Sequence, residues 1–243
     1  MRDAIDSNVI LDRSGSMETI RNDVIGGFNT FLDKQKATPG EGTISLYRFD
    51  DQYETVYQGV NLKDARNMTR DDLVPRNGTA LYDAIGRTIN SVGARLSALP
   101  ESERPDQVLV MILTDGQENA SKEFIPKEQA VPASLDPNYF AFRRISQAHL
   151  VGRLPKSSVI AEMIKHQTEK YNWQFMFIGA NMDAVLEGGA MGISASNSVT
   201  ANANSASIGA VFQMAACKTT NYRGSKAVMD LCYNEQDRKD VDL

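Results

Sequence analysis

Short apolar runs alternate along the chain with longer stretches whose apolar residues recur at helical spacing. The runs occupy residues 9–11, 108–113 and 173–178. The helical faces comprise Met17, Ile20, Val24, Phe28, Phe31 and Leu32; Leu81, Ile85, Ile89, Val92 and Leu96; and Ile160, Met163, Ile164 and Tyr171. Strands that alternate with helices in this way predict an α/β domain with a mostly parallel central sheet and helices on both faces.

Another pair of segments predicts an antiparallel edge strand. Residues 43–49 and 53–57 are rich in β-branched and aromatic side chains and flank the turn-forming sequence Asp50-Asp51-Gln52. This pattern is typical of a hairpin. With Glu54, the two aspartates of the turn form a small acidic cluster, which we interpret as a solvated hairpin tip.

Polar residues also interrupt the first strand. Asp6, Ser7 and Asn8 precede the apolar run at residues 9–11. A central strand of a parallel sheet is buried on both faces and is normally apolar for longer. We therefore expect this strand to be short or irregular at its start.

Two segments lack a sustained pattern. Residues 121–156 contain four prolines, at positions 126, 132, 137 and 155, and are interpreted as an insertion. Residues 235–243 are highly charged and are expected to form a solvated C-terminal tail. The length of 243 residues suits one domain, 1–243, that carries both segments.

Composition narrows the class of protein. Hydrophobic residues make up 42% of the chain and charged residues 23%, as in ordinary soluble domains. The net charge of −5 argues against a nucleic-acid partner bound through bulk charge. The longest apolar run, 108–113, is far shorter than the roughly 20 residues of a membrane-spanning helix. The N-terminus lacks a secretory pattern, so a cytoplasmic location is expected, with Cys217 and Cys232 as reduced thiols.

Three polar loops carry the candidate chemistry. Asp12-Arg13-Ser14-Gly15-Ser16 follows the first apolar run, Asn77-Gly78-Thr79 precedes the second helical stretch, and Thr114-Asp115-Gly116 follows the second run. Loops at the carboxyl ends of strands converge in open α/β sheets, and ligand sites form there. Two carboxylates and three hydroxyls without a thiolate or imidazole favour a hard cation: Mg²⁺, with Mn²⁺ or Ca²⁺ as alternatives.

The same residues resemble a known motif. Asp12-x-Ser14-x-Ser16, then Thr79 in Gly-Thr-Ala-Leu-Tyr-Asp-Ala-Ile and Asp115 in Leu-Thr-Asp-Gly, are similar to the metal-ion-dependent adhesion site (MIDAS) of von Willebrand factor A (VWA) domains. The resemblance covers roughly residues 5–120 and 158–220 and is closest to small stand-alone VWA proteins of bacteria and bacteriophages. It implies a Rossmann-like fold, direct metal ligation by Ser14, Ser16 and often Thr79, and water-mediated ligation by Asp12 and Asp115.

A cation held largely by neutral hydroxyls remains electron-poor and can accept a further anionic ligand, for which an Asp or Glu of a protein partner is the natural candidate. Residues beside the ligands are candidate partner contacts: Gly15, Met17, Asn77, Gly78, Gln117 and Glu118. The insertion adds Tyr139, Phe140, Arg143 and Arg144, whose types are common at interfaces, although the aromatic residues could equally anchor the segment.

Three functions compete at this point. The first is a metal-dependent protein-interaction module without catalytic residues. The second is a metal-dependent phosphohydrolase or nuclease, against which stand the absence of a P-loop sequence and of a second carboxylate cluster. The third is a structural or assembly component that the metal stabilises. His149 and His166 are isolated and accompany no nucleophile motif.

Overall fold

The structure, a computed structural model, describes residues 2–125 and 159–242. Its strands are β1 (Arg2–Asp12), β2 (Glu41–Phe49), β3 (Tyr53–Asn61), β4 (Pro105–Thr114), β5 (Gln174–Ala180) and β6 (Ser198–Ala201). Its α-helices are α1 (Arg21–Ala37), α2 (Leu81–Ser97), α3 (Val159–Tyr171), α4 (Ala184–Ala190), α5 (Ser205–Ser225) and α6 (Glu235–Val241). A short 3-10 helix, Gly15–Thr19, joins β1 to α1.

The strands form one sheet in the order β3-β2-β1-β4-β5-β6. The edge strand β3 pairs antiparallel with β2, and the other pairs are parallel. The predicted α/β fold class, with one antiparallel edge strand, is confirmed. Because β1 lies between β2 and β4, the loops that follow β1 and β4 emerge side by side at the same edge of the sheet.

Helices cover both faces of the sheet, and each face has its own apolar core. Val9 and Leu11 enter one core and Ile10 the other, because successive side chains of a strand point to opposite faces. The first core also contains Phe28 of α1 and Phe212 of α5. The second is formed by α2, α3 and the other face of the sheet.

The first strand is irregular at its start, as one of the two expectations held, but it is not short, because β1 spans eleven residues. Its register against β4 shifts only between Arg2 and Ile5. Asp6 is fully buried, and its carboxylate accepts hydrogen bonds from Thr43 Oγ1 (2.5 Å), Asn8 Nδ2 (2.8 Å) and Arg95 Nη2 (2.7 Å). A polar network around the Asp6 carboxylate therefore replaces apolar packing at this end of the strand.

The C-terminal segment differs from the expected solvated tail, because residues 235–241 form α6. Asn234 caps this helix by accepting the Asp237 N–H at 2.9 Å, and Val241 is fully buried. Arg238 donates to the Ser198 carbonyl at 2.7 Å, so α6 packs beside the short edge strand β6. A single buried apolar residue in seven gives no readable helical period, which is why the sequence pattern missed it.

Of the predicted insertion 121–156, residues 126–156 lie outside the described residues, and the domain boundaries stay a prediction. In the parts of the chain that the structure does describe, no helix is long and apolar enough to cross a bilayer. The cytoplasmic location also remains a prediction.

Candidate metal centre

The first candidate ligand, Asp12, is the last residue of β1 and is fully buried. Its Oδ1 accepts the Ser14 N–H at 2.6 Å, and its Oδ2 accepts the Thr114 hydroxyl at 2.5 Å. Burial raises the pKa of Asp12 to about 7, although the bonds from Thr114 and Ser14 act in the opposite direction. The carboxylate is thus fixed in orientation by its own loop and by β4, and it lacks a solvating environment.

The remaining candidates meet beside Gly116. Ser14 Oγ and Ser16 Oγ are 3.2 Å apart, and Ser16 Oγ donates to Asp115 Oδ1 at 2.7 Å. A Cβ atom placed on Gly116 would lie 2.9 Å from Thr79 Oγ1, 3.6 Å from Ser16 Oγ and 3.7 Å from Ser14 Oγ. Three hydroxyls from two separate loops therefore face one small space that a side chain at position 116 would fill.

This arrangement suits a hard divalent cation. The converging atoms are all oxygens, the donor type that Mg²⁺, Mn²⁺ and Ca²⁺ prefer. Burial raises the pKa of Asp115 as well, against the hydrogen bond from Ser16, so both carboxylates lie where a positive charge would stabilise their ionised forms. Across residues 2–125 and 159–242, no group of three or more His, Cys, Asp or Glu could hold a metal, so a cation held here would depend on the hydroxyls.

Backbone hydrogen bonds hold the first two loops together. The Gly15 N–H donates to the Asn77 carbonyl at 3.2 Å, and the Arg76 N–H donates to the Arg13 carbonyl at 2.9 Å. Asn77 has a left-handed backbone conformation, with φ at 56°, which asparagine tolerates better than most residues. Thr79 precedes Ala80, the N-cap residue of α2, and its hydroxyl faces the candidate site.

A cluster of ion pairs lies next to these loops. It shows that the interpretation of Asp50, Asp51 and Glu54 as a solvated hairpin tip is wrong for Asp50. Asp50 is fully buried, and its Oδ2 lies 2.5 Å from Arg76 Nε and 3.2 Å from Arg13 Nε. The Arg13 contact is an ion pair without good hydrogen-bond direction, since Arg13 Nε has no hydrogen-bond partner. Glu54 pairs with Arg13 at 2.6 Å and Arg48 at 2.8 Å, whereas Asp51 alone of the three acids is exposed.

This cluster predicts an acid-dependent contribution to stability. Hydrogen bonds from Arg13, followed by those from Arg48, lower the pKa of Glu54 to about 2. A carboxyl whose pKa is lower in the folded than in the unfolded state stabilises the fold above its unfolded pKa of about 4.3, and this contribution disappears as the pH falls toward 2. Urea unfolding at several pH values should show Glu54→Gln less stable than wild type at pH 7, with the difference shrinking below about pH 4.5. A difference that stays constant from pH 7 to pH 2.5 would contradict this assignment.

The structure separates the predicted partner-contact residues into different environments. Gly15, Asn77 and Gln117 are exposed beside the ligand loops, and Gly78 is partly exposed. The prediction that Met17 contacts a partner is wrong, because its side chain is fully buried in the apolar core that also contains residues of α1. Tyr139, Phe140, Arg143 and Arg144 lie outside the described residues.

Glu118 is also placed differently from the expectation. It is partly buried, and both of its carboxylate oxygens accept hydrogen bonds, from the backbone N–H groups of Tyr82, Ala120 and Ser121 and from the Ser121 hydroxyl. Its carboxylate is therefore engaged within the chain. Sequence reasoning missed this role because no periodic pattern marks a side chain that caps a distant helix.

A cavity of about 390 Å³ lies elsewhere, lined among others by Trp173, Tyr171 and His166 near the first residues of β4. Asp115 follows the opposite end of β4, so this cavity lies away from the candidate ligands. His166 is exposed on α3 and contacts the Tyr171 ring edge-on. His149 lies outside the described residues.

Comparisons with known proteins place the fold. No family model and no curated protein matches the chain. Among solved structures, the vWF domain of the type V pili tip protein Mfa5 from Porphyromonas gingivalis is 15% identical, with a TM-score of 0.53 over 91% of this chain and 96% of that one. A von Willebrand factor type A protein from Catenulispora acidiphila is 14% identical, with a TM-score of 0.52 over 88% of this chain and 42% of that one.

A third similar structure is proximal thread matrix protein 1 from the mussel byssus, described with a zinc-occupied MIDAS motif. It is 16% identical, with a TM-score of 0.52 over 88% of this chain and 46% of that one. The chain thus spans less than half the length of the mussel and Catenulispora chains. At these identities the likeness shows the fold alone, and that fold is the predicted one of VWA domains.

Proposed function

We propose that this chain, which has the VWA fold, is a metal-dependent protein-interaction module. Asp12, Ser14, Ser16, Thr79 and Asp115 would hold a divalent cation, with Mg²⁺ as the first candidate and Mn²⁺ or Ca²⁺ as alternatives. The observation that carries the proposal is the convergence of three hydroxyls and the Asp115 carboxylate beside Gly116, at the carboxyl ends of β1 and β4. When bound, the cation would supply a Lewis-acidic position for a carboxylate oxygen of a partner.

The protein's own residues fix the orientation of the candidate ligands and leave one side of the site open to solvent. Asp12 is buried and fixed by Ser14 and Thr114, so it anchors the inner side of the site. Ser16 is exposed and Asp115 is partly exposed, which leaves the outer side open to solvent. An acidic side chain of a protein partner would approach from this outer side, where Gly15, Asn77 and Gln117 are also exposed.

The solved structures support a protein partner by analogy. One belongs to a pili tip protein and another to a matrix protein whose MIDAS motif is occupied by zinc. By this analogy, we propose that this chain binds a protein that presents Asp or Glu and that it does not catalyse a reaction. Metal-dependent turnover of a phosphate ester or nucleic acid would contradict the non-catalytic part of this proposal.

A capture experiment tests the proposal directly. Immobilised wild-type protein should retain a partner from cell extract with Mg²⁺ present, lose it on chelation, and regain it when Mg²⁺ is restored. Ser16→Ala should lose the partner, because it removes an exposed hydroxyl of the site. Thr19→Ala is the matched control, since it removes an exposed hydroxyl of the same turn that only contacts the Ser16 carbonyl at 3.5 Å.

The partner's own acid completes the test. Once the captured protein is identified, replacing its contacting Asp or Glu by the amide should abolish retention. Capture that persists in chelator, or that is equal for Ser16→Ala and wild type, would contradict the proposed mechanism.

A further inference from the structure

The loop that follows Asp115 and the start of α2 are joined by hydrogen bonds that run in both directions. Glu118 Oε2 accepts the Tyr82 N–H at 2.9 Å, Asn119 Oδ1 accepts the Thr79 N–H at 2.9 Å, and Ser121 Oγ accepts the Asp83 N–H at 3.1 Å. Three backbone donors at the beginning of α2 are thus satisfied by side chains about forty residues further along the chain.

The reverse bonds come from Asp83, which is buried in the first turn of α2. Its Oδ1 accepts the N–H groups of Glu123 and Phe124, and its Oδ2 accepts that of Lys122, all at 2.9 Å. The Thr79 carbonyl accepts two more N–H groups from the same segment, those of Asn119 at 3.0 Å and Ala120 at 3.2 Å. Residues 79–83 and residues 118–124 are therefore joined by hydrogen bonds in both directions.

This exchange explains how α2 begins. The first N–H groups of a helix have no partner inside the helix, and a side chain at the N-cap position usually accepts one of them. Here the N-cap residue is Ala80, whose side chain carries no hydrogen-bond acceptor. The loop after Asp115 takes over that role, so the start of α2 is satisfied only when this loop is in place.

The consequence concerns the candidate metal ligands. Thr79 donates its N–H to Asn119 and its carbonyl accepts from the same loop, so the backbone of Thr79 is fixed relative to residues 116–121. The approach is close, since a Cβ atom on Gly78 would lie 2.8 Å from Asn119 Oδ1. Thr79 and Asp115, which lie in different loops, are therefore held in one unit.

We propose that Glu118, Asn119, Ser121 and Asp83, the cross-loop clamp, are positioning residues that hold Thr79 Oγ1 in register with Asp115 before a cation arrives. This inference rests on the metal-binding function proposed above. Residues that orient metal ligands without touching the metal typically change its affinity about 10- to 100-fold when replaced. The clamp makes the site preorganised, because the loops do not have to be ordered when the cation binds.

Glu118→Gln breaks the clamp selectively. Glu118 Oε1 accepts the N–H groups of Ala120 and Ser121, which lie in its own loop, at 2.9 and 2.8 Å. Glu118 Oε2 accepts the Tyr82 N–H across the gap and also the Ser121 hydroxyl of its own loop, which can turn to accept from an amide. A glutamine can keep its carbonyl oxygen toward its own loop, but its amide group then faces the Tyr82 donor and the bond between the loops is lost.

Glu123→Gln is the matched control. It removes the same charge five residues further on, where the Glu123 carboxylate makes only an exposed ion pair with Arg87 at 2.9 Å. Asn119→Ala is the second test variant. It removes the acceptor of the Thr79 N–H from an exposed side chain, so the core is undisturbed even if Glu118→Gln proves too unstable to measure.

Two measurements decide the proposal. Titration calorimetry with Mn²⁺ should give a Kd about 10- to 100-fold weaker for Glu118→Gln and Asn119→Ala than for wild type, and an unchanged Kd for Glu123→Gln. Amide hydrogen exchange on the metal-free proteins should show faster exchange at Tyr82 in Glu118→Gln and at Thr79 in Asn119→Ala. The same amides should exchange at the wild-type rate in Glu123→Gln.

The outcomes separate this proposal from the proposed function. An unchanged Mn²⁺ affinity in both clamp variants would overturn the positioning role even if their amides exchange faster. If wild type binds no Mn²⁺, the proposed function fails, and hydrogen exchange still tests the clamp. Faster exchange at Thr79 and Tyr82 would then support a clamp between the loops, and unchanged exchange would overturn it.

Discussion

Replacing Asp115 by asparagine should weaken Mg²⁺ binding by at least about 100-fold, or about 2.8 kcal/mol, while leaving the fold intact. Asp115 is the partly exposed carboxylate of the site, and its Oδ1 accepts the Ser16 hydroxyl at 2.7 Å. Asparagine preserves the size and this acceptor but removes the charge that would attract the cation. Titration calorimetry measures the effect.

Asp51→Asn is the matched control for charge. Asp51 is exposed at the hairpin tip and accepts a hydrogen bond from the side chain of Asn77, the first residue of the second candidate loop, at 2.9 Å. This variant loses the same charge on the same side of the molecule without touching a candidate ligand. Its Mg²⁺ affinity should stay within about threefold of wild type, the range expected for a screened surface charge. Equal losses in both variants would mean that only the general negative charge of this surface attracts the cation.

The Asp115→Asn protein should also differ from wild type in how its Tm responds to Mg²⁺. Burial raises the pKa of Asp115, so ionisation at pH 7 costs free energy in the metal-free fold. Removing the charge should therefore leave the metal-free Tm unchanged or slightly higher. Mg²⁺ at 100 times its Kd should raise the wild-type Tm by roughly 5–11 °C, corresponding to about 2.7 kcal/mol, and should not raise that of Asp115→Asn.

Replacing Asp50 by alanine should destabilise the fold by about 3–5 kcal/mol, the largest effect on stability that we expect from an acid of the hairpin. Asp50 and Arg13 are 0% and 3% exposed, and they face each other at 3.2 Å. Without Asp50, the buried Arg13 guanidinium would retain only Glu54 as a counter-charge, and the Gln52 N–H would lose its acceptor. Tm should fall by about 10 °C, as measured by calorimetry.

Asp51→Ala provides the comparison at the neighbouring position. Its exposed carboxylate accepts a hydrogen bond from the Asn77 side chain, so its removal should leave the Tm close to that of wild type. If Asp50→Ala lowered the Tm no more than Asp51→Ala does, the ion pairs of Asp50 with Arg13 and Arg76 would not contribute to stability.

The hairpin shows where sequence patterns reach their limit. Asp50 and Asp51 are adjacent and chemically identical, yet one is fully buried and the other exposed. The difference arises from Arg13, which is distant in sequence and reaches Asp50 only because β1 and β2 pair in parallel. Local composition does not encode such a partner, so the prediction for Asp50 was wrong.

The convergence of the candidate loops was predictable for the opposite reason. Their loops follow or precede elements with strong apolar patterns, and the parallel order of β1 and β4 brings the loops together. The side chains that hold those loops were not predictable, because Glu118 and Asp83 act through backbone N–H groups that any residue carries. Met17 was misplaced because it stands between Ser16 and Glu18, which are exposed, and the turn of the 3-10 helix directs it into the core.

Anomalous diffraction from crystals grown with Mn²⁺ tests the central claim most directly, because it locates the cation without relying on affinity. We predict one strong peak in the space beside Gly116, bounded by the hydroxyls of Ser14, Ser16 and Thr79 and by the Asp115 carboxylate. The peak should be absent from crystals of Asp115→Asn. A peak at another place, or none in the wild-type protein at saturating Mn²⁺, would contradict the account.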